Sequence, residues 1–231
     1  MAKARVASNP FTKIFGSLSA KTVSDTTPVS EKTAVPTSDP YHSPTTSGTT
    51  KTSADGYLQT AVSGDALAAG TDTSTSGNIY SRSFDKGPIQ MSFGFTKFSA
   101  TAQSPTGESS YADANTSVQT SNADLSFDLT HVSSGSGTTS SGGSYATDTS
   151  RTFFFAINIE GIDLPKGPVQ ISHTVESPSY LQPSPVGGNI STFDADVQAH
   201  GNGSLADVQF DVLTVSDTVS AVSGVAVTEI A

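Results

Sequence analysis

Asn122-Ala123-Asp124-Leu125-Ser126-Phe127-Asp128-Leu129 returns as Leu205-Ala206-Asp207-Val208-Gln209-Phe210-Asp211-Val212, and both copies close on Val-Ser, at 132–133 and 215–216. In each copy apolar residues alternate with polar ones: Leu125, Phe127 and Leu129 against Asp124, Ser126 and Asp128, then Val208, Phe210 and Val212 against Asp207, Gln209 and Asp211. An extended chain points successive side chains to opposite faces, so a period of two reads as a strand with one apolar face. A second pair, Lys86-Gly87-Pro88-Ile89-Gln90-Met91-Ser92 and Lys166-Gly167-Pro168-Val169-Gln170-Ile171-Ser172, repeats in the same order.

Working outward, the same period marks Ile89, Met91, Phe93 and Phe95, then Phe153, Phe155, Ile157 and Ile159, then Val169, Ile171, His173 and Val175. Phe193 to Ala199 continues it, and Val225 with Val227 suggests a final edge strand. Phe154 and Ala156 make the second face of 153–159 partly apolar, which suits a strand at the centre of a sheet or one covered by a partner. Gly87-Pro88 reads as a turn or strand entry. The run from Ser133 to Gly143 is so rich in Ser and Gly that it reads as a linker or exposed loop. Short alternating strands between Ser, Gly and Pro turns describe antiparallel sandwiches.

The expected fold is therefore all-β: tandem duplicated antiparallel β-sandwich units over 57–144 and 145–231. One larger jelly-roll-like sandwich is the alternative. Residues 1–56, rich in Ser, Thr and Pro, are expected as an extended arm, because Pro28, Pro36, Pro40 and Pro44 forbid a central strand.

Composition narrows the function classes. Of 231 residues, 34% are hydrophobic, 14% are charged and about 30% are Ser or Thr. Hydroxyls and amides have replaced surface charge, a balance that points to an external surface or a particle shell. The net charge of -10 repels phosphate backbones, so no nucleic-acid partner is expected. Lys3, Arg5 and Lys13 cluster near the N-terminus, where a solvated end is the plain reading and contact with an acidic partner the sharper one. Cysteine is absent, which excludes disulfides and thiolate chemistry. No apolar run approaches the ~20 residues of a membrane-spanning helix. Asn9-Pro10 and Lys13 interrupt any secretion-signal core, so an extracellular or virion location would be reached without a conventional signal peptide.

Motifs that carry chemistry are scarce. No nucleophile elbow, phosphate loop or dinucleotide fingerprint occurs, and no enzyme is expected. His42, His131, His173 and His200 lack metal-ligand spacing. Asp194, Asp196, Asp207 and Asp211 form the candidate metal set: a hairpin through His200–Ser204 would gather them around Ca²⁺, an ion that wants six to eight oxygens. A plain acidic, solvated surface is the competing reading. No other cofactor is indicated, and the lack of Trp weakens carbohydrate-binding and glycosidase readings. Phe153, Phe155, Ile157 and Ile159 are the candidate subunit-interface residues.

The expected function is that of a structural, self-assembling subunit of a virion or of an extracellular fibre or surface layer. Arm and strand packing between neighbouring copies would hold it together. A monomeric surface adhesin, or a carbohydrate- or calcium-binding module, is the alternative.

Overall fold

The computed structural model describes residues 56–161, 167–179 and 182–230. The arm expected over 1–56 lies outside these residues apart from Gly56. Ten strands run through them in chain order: β1 Gln59–Ala69, β2 Asp72–Lys86, β3 Ile89–Ser104, β4 Tyr111–Ser121, β5 Leu125–Thr138, β6 Ser144–Ile159, β7 Val169–Pro178, β8 Asn189–His200, β9 Leu205–Val215 and β10 Val219–Glu229. Among the described residues no helix is long and apolar enough to cross a membrane.

The strands form two sheets, one of four in the order β4-β1-β10-β9 and one of six in the order β7-β5-β6-β3-β2-β8. All pairings are antiparallel except β2 with β8 and β5 with β7, which place a parallel strand at each edge of the larger sheet. The all-β expectation holds. The division at 144/145 does not follow the strands: β1 pairs with β10, β2 with β8, and β6 lies between β3 and β5, so both halves build both sheets. All described residues fall in one compact unit. Nor do the repeated stretches take equivalent places. One copy of the 122–133 pattern runs in the larger sheet as β5 and the other in the smaller sheet as β9. The 86–92 pattern opens the interior strand β3, whereas Gly167–Ser172 opens the edge strand β7.

Two further expectations are corrected. Ser133–Thr138 is not a loop but the second half of β5, paired with β6, and only the stretch from Thr139 to Gly143 turns. Glycine serves the strand there because the chain packs tightly: a Cβ at Gly135 would stand 2.1 Å from the carbonyl oxygen of Ser179. The strand through Val225 and Val227 is not at an edge, since β10 is flanked by β1 and β9. Gly87-Pro88 does turn, as a two-residue hairpin between β2 and β3, with Gly87 at φ 64°.

The sheets face each other across an interior of small residues. Val62, Ala66, Ala68, Ile79, Ala100, Ala102, Ala114, Val222 and Ala226 surround Phe98, with Phe154 beside them. Hydroxyls fill much of the remaining space and pair across the gap. Thr73 Oγ1 lies 2.6 Å from Ser220 Oγ, and Ser83 Oγ lies 2.8 Å from both Ser92 Oγ and Thr228 Oγ1. Thr116 Oγ1 lies 2.7 Å from Ser150 Oγ and 2.8 Å from Thr152 Oγ1, which itself meets Thr130 Oγ1 at 2.7 Å. A buried hydroxyl is costly unless such a partner replaces water, and these pairings give much of the Ser and Thr content a structural destination.

Asp124 and Asp148 break this neutrality, Asp148 with one carboxylate oxygen left over. The buried Asp148 carboxylate faces β4 and accepts the Ala114 N–H at 3.1 Å through Oδ2, while Oδ1 has no partner. Burial pushes its pKa above 3.8, opposed by the Ala114 and Thr149 N–H groups and assisted by the charge on Asp113. The folded chain therefore holds a proton here that the unfolded chain releases once pH rises past 3.8, and this group's contribution to stability falls as pH climbs through the raised value. Asp148→Asn is expected to raise the melting temperature at pH 7 by a few degrees, with the gain shrinking to nothing as the scans approach pH 4. Thermal denaturation followed by circular dichroism across that range checks it; an equal gain at every pH would refute the charge explanation.

Candidate functional site

The larger sheet turns its apolar parity away from the core. In β3, Ser92, Thr96 and Phe98 point inward, so Ile89, Met91, Phe93 and Phe95 point outward. In β6, Ser150, Thr152, Phe154 and Ala156 are buried, which leaves Phe153, Phe155, Ile157 and Ile159 on the outer surface. The candidate interface residues thus all lie on one face, on a strand in the middle of the sheet. Phe153 remains 52% exposed, which no core residue would be.

Strand register brings these residues into rows. Phe84, Met91, Ile157, Leu125 and Val169 stand abreast from β2 to β7. Next to them run Arg82, Phe93, Phe155, Phe127 and Ile171, followed by Tyr80, Phe95, Phe153, Leu129 and His173. Ile89 and Ile159 pair at the end. The rings touch one another laterally: Tyr80 stacks on Phe95 at 5.6 Å, Phe84 meets Phe93 edge-on at 6.0 Å, and Phe95 meets Phe153 at 6.0 Å. With strands about 4.8 Å apart and rows about 7 Å apart, the apolar patch measures roughly 25 Å on a side. That is near the upper limit for a monomer's largest patch, ~600 Å².

Cations flank it along β2 and at one end of the rows. Arg82, Lys86, Lys97 and Arg151 are the Lys and Arg residues of the described chain, and all four share the outward parity of this sheet. Arg82 sits 5.2 Å from the Tyr80 ring centroid and Lys86 5.8 Å from that of Phe84, within cation–π range. Arg82 also reaches Asp196 at 3.5 Å. On the neighbouring edge strand Asp194 accepts the Asn78 amide at 3.2 Å.

The four aspartates of the candidate metal set are not brought together. The expected β8–β9 hairpin does not form, because the chain crosses at Gly201–Ser204 from the larger sheet to the smaller one. Asp194 and Asp196 end on the outer face of the larger sheet; Asp207 and Asp211 end on the outer face of the smaller sheet, on the opposite side of the sandwich. Among the described residues no group of three or more His, Asp or Glu side chains is gathered as a metal ion would need. His131 meets Ser177 at 3.2 Å and His200 meets Gln198 at 3.4 Å; His42 lies outside the described residues.

Sequence reasoning missed Tyr80, Arg82, Phe84 and Phe127 as parts of this surface. One signal was available. Lys97 continues the parity of Ile89 to Phe95, and Arg151 continues that of Phe153 to Ile159. A cation in step with an apolar face marks that face as meeting water, because an unpaired buried charge is prohibitively costly.

Fold and surface together define a two-sheet all-β protein whose distinguishing feature is an exposed aromatic sheet face. No protein-family model, curated protein or solved structure matches the chain.

Proposed function

We propose that the protein is a structural subunit that assembles with neighbouring copies through the outer face of its six-stranded sheet, as a component of a virion or of an extracellular fibre or surface layer. The observation that carries this reading is the inversion of patterning in that sheet. Hydroxyls, alanines and valines fill most of the interior around Phe98, Phe154 and Ile79, while most of the sheet's phenylalanine, isoleucine and leucine side chains occupy the outside in three aligned rows. Left in water, such a face forfeits about 25 cal/mol for each Å² that a partner would cover. Its area, ~600 Å², is about three-quarters of the ~800 Å² that one partner brings to a standard protein interface. Ser- and Thr-rich composition, low charge and the absence of any recognised catalytic motif in the sequence fit a scaffold better than an enzyme.

Sedimentation velocity on the full chain tests the reading. At tens of micromolar the wild type is expected to sediment as an assembly. Phe153→Glu is expected to weaken association about a hundredfold or more, while the far-ultraviolet circular dichroism stays unchanged, since this side chain is half exposed already. A wild type that sediments as a monomer throughout would favour the monomeric adhesin or binding-module reading instead.

A further inference from the structure

The two outer faces of the sandwich carry opposite charge. On the larger sheet all four described cations flank the aromatic rows, along β2 and at the Lys97–Arg151 end, and the acids that share the face are Asp194, Asp196 and Asp72. Asp196 is already engaged by Arg82, while Asp72 accepts the Gly188 N–H at 2.7 Å at the remote end of β2. On the smaller sheet, register places Asp65, Asp113, Asp207, Asp211 and Glu229 on the outward parity, with no Lys or Arg among them. Asp65 and Asp113 share a single neutral donor: the Asn115 amide lies 3.5 Å from one carboxylate and 3.2 Å from the other. Burial raises the pKa of Asp65, and the neighbouring Asp113 charge adds to that, as expected of carboxylates short of a cation.

The acidic face is also apolar between its charges. Leu67, Leu205, Leu213 and Val215 are exposed there, accompanied by Val225 and Val227 on the outward parity of β10. Each face thus offers what the other lacks: aromatic rows flanked by cations on one, aliphatic side chains interspersed with carboxylates that meet only neutral amide donors on the other.

We propose that the aromatic face of one copy seats on the acidic face of the next, a head-to-tail contact that leaves a free face at each end of every assembly. This deepens the reading under Proposed function and rests on it. Charge decides between the two ways a second copy could cover the aromatic face. Pairing that face with itself would bring Lys86, Lys97 and Arg151 of both copies together with only Asp194 and Asp72 of each to offset them, whereas pairing it with the acidic face matches opposite signs. A contact between two different faces does not satisfy itself in a dimer; it closes into a ring or propagates as a filament.

Complementation between two broken faces tests this with full-length protein. Phe127→Ser/Phe153→Ser disables the aromatic face, and Asp65→Lys/Leu67→Lys disables the acidic one; these residues are on the surface, so circular dichroism should show both variants folded. Each alone is expected to be monomeric by native mass spectrometry, and their equimolar mixture is expected to give a 1:1 dimer that grows no further. If the serine pair unfolds, Phe153→Thr, which keeps a strand-favouring residue, replaces it in the same mixing experiment. Should Asp65→Lys/Leu67→Lys alone assemble to the wild-type size, the aromatic face pairs with itself; the head-to-tail contact is then overturned while self-assembly stands. A wild type that is monomeric overturns both, and leaves residues 1–55 or an unrelated partner as the cover for the face. Two folded monomeric variants that ignore each other on mixing also overturn the contact.

Discussion

Phe98→Ala is expected to lower the unfolding free energy by about 3–5 kcal/mol, a large share of the roughly 5–15 kcal/mol that holds a domain together. Among the described residues Phe98 is the largest fully buried side chain, and its neighbours in the core are mostly alanine, valine and hydroxyl-bearing residues, with Ile79 and Phe154 beside them. Its ring occupies room left by glycines on two other strands. A Cβ at Gly64 would stand 2.2 Å from Phe98 Cδ2, and one at Gly77 would stand 2.6 Å from Cε1. Small neighbours cannot collapse into so large a void, so the cavity penalty should fall toward the upper end of that range. Coupling provides the sharper check. Gly64→Ala should destabilise the wild type and cost less beside Phe98→Ala, where its methyl group enters the vacated space and only the Asn115 carbonyl oxygen, 2.8 Å away, still opposes it. Urea denaturation of the four proteins of this cycle measures the coupling; additive losses would show that the ring and the glycine do not compete for the same volume.

Gly94→Val is expected to cost ~3 kcal/mol or more, by a different route. Gly94 sits inside β3 with β2 on one side and β6 on the other, opposite Ser81 and Phe154. Any Cβ there would lie 2.0 Å from the backbone carbonyl oxygen of Tyr80 and 2.8 Å from the Phe154 ring. Backbone cannot swing aside as a side-chain tip can, so relief requires prying β2 from β3. Since Tyr80 and Phe95 flank this point on the outer face, the same substitution should also disturb the aromatic rows. Amide hydrogen exchange should then show protection lost first across the β2–β3 pairing. Loss confined to the chain ends would contradict the proposed clash.

Strand identity was legible wherever apolar and polar residues alternate, as through Ile89–Phe95, Leu125–Leu129 and Phe153–Ile159. The direction each face points was not. Period two says that a strand has two unlike faces, and the usual inference puts the apolar one inside. Here Ser92, Thr96, Ser150 and Thr152 are buried instead, because hydroxyl partners on the facing sheet or adjacent strands are available to most of them. Thr96 Oγ1 has no such partner. The strands β1, β2 and β4 escaped notice for the same reason: Asp72-Thr73-Ser74-Thr75-Ser76 alternates in burial but hardly in hydrophobicity. The candidate interface on Phe153–Ile159 was readable from its own residues, whereas its extent across five strands depends on long-range register that no local pattern encodes. The aspartate set was drawn from adjacent strands on the assumption of a hairpin, and a four-residue crossing between sheets separated them.

The hydroxyl-lined interior also shapes how the fold responds to temperature. Heat capacity rises when hydrocarbon is exposed to water and falls when polar groups are exposed, giving about 12–15 cal/mol/K per residue for ordinary domains. Unfolding this sandwich bares many serines and threonines where other proteins bare leucine and isoleucine, so its increment per residue is expected to fall below that range. A smaller increment flattens the curve of free energy against temperature. The isolated chain is therefore expected to lose little stability on cooling, which calorimetric scans of the monomer would show as a shallow curve.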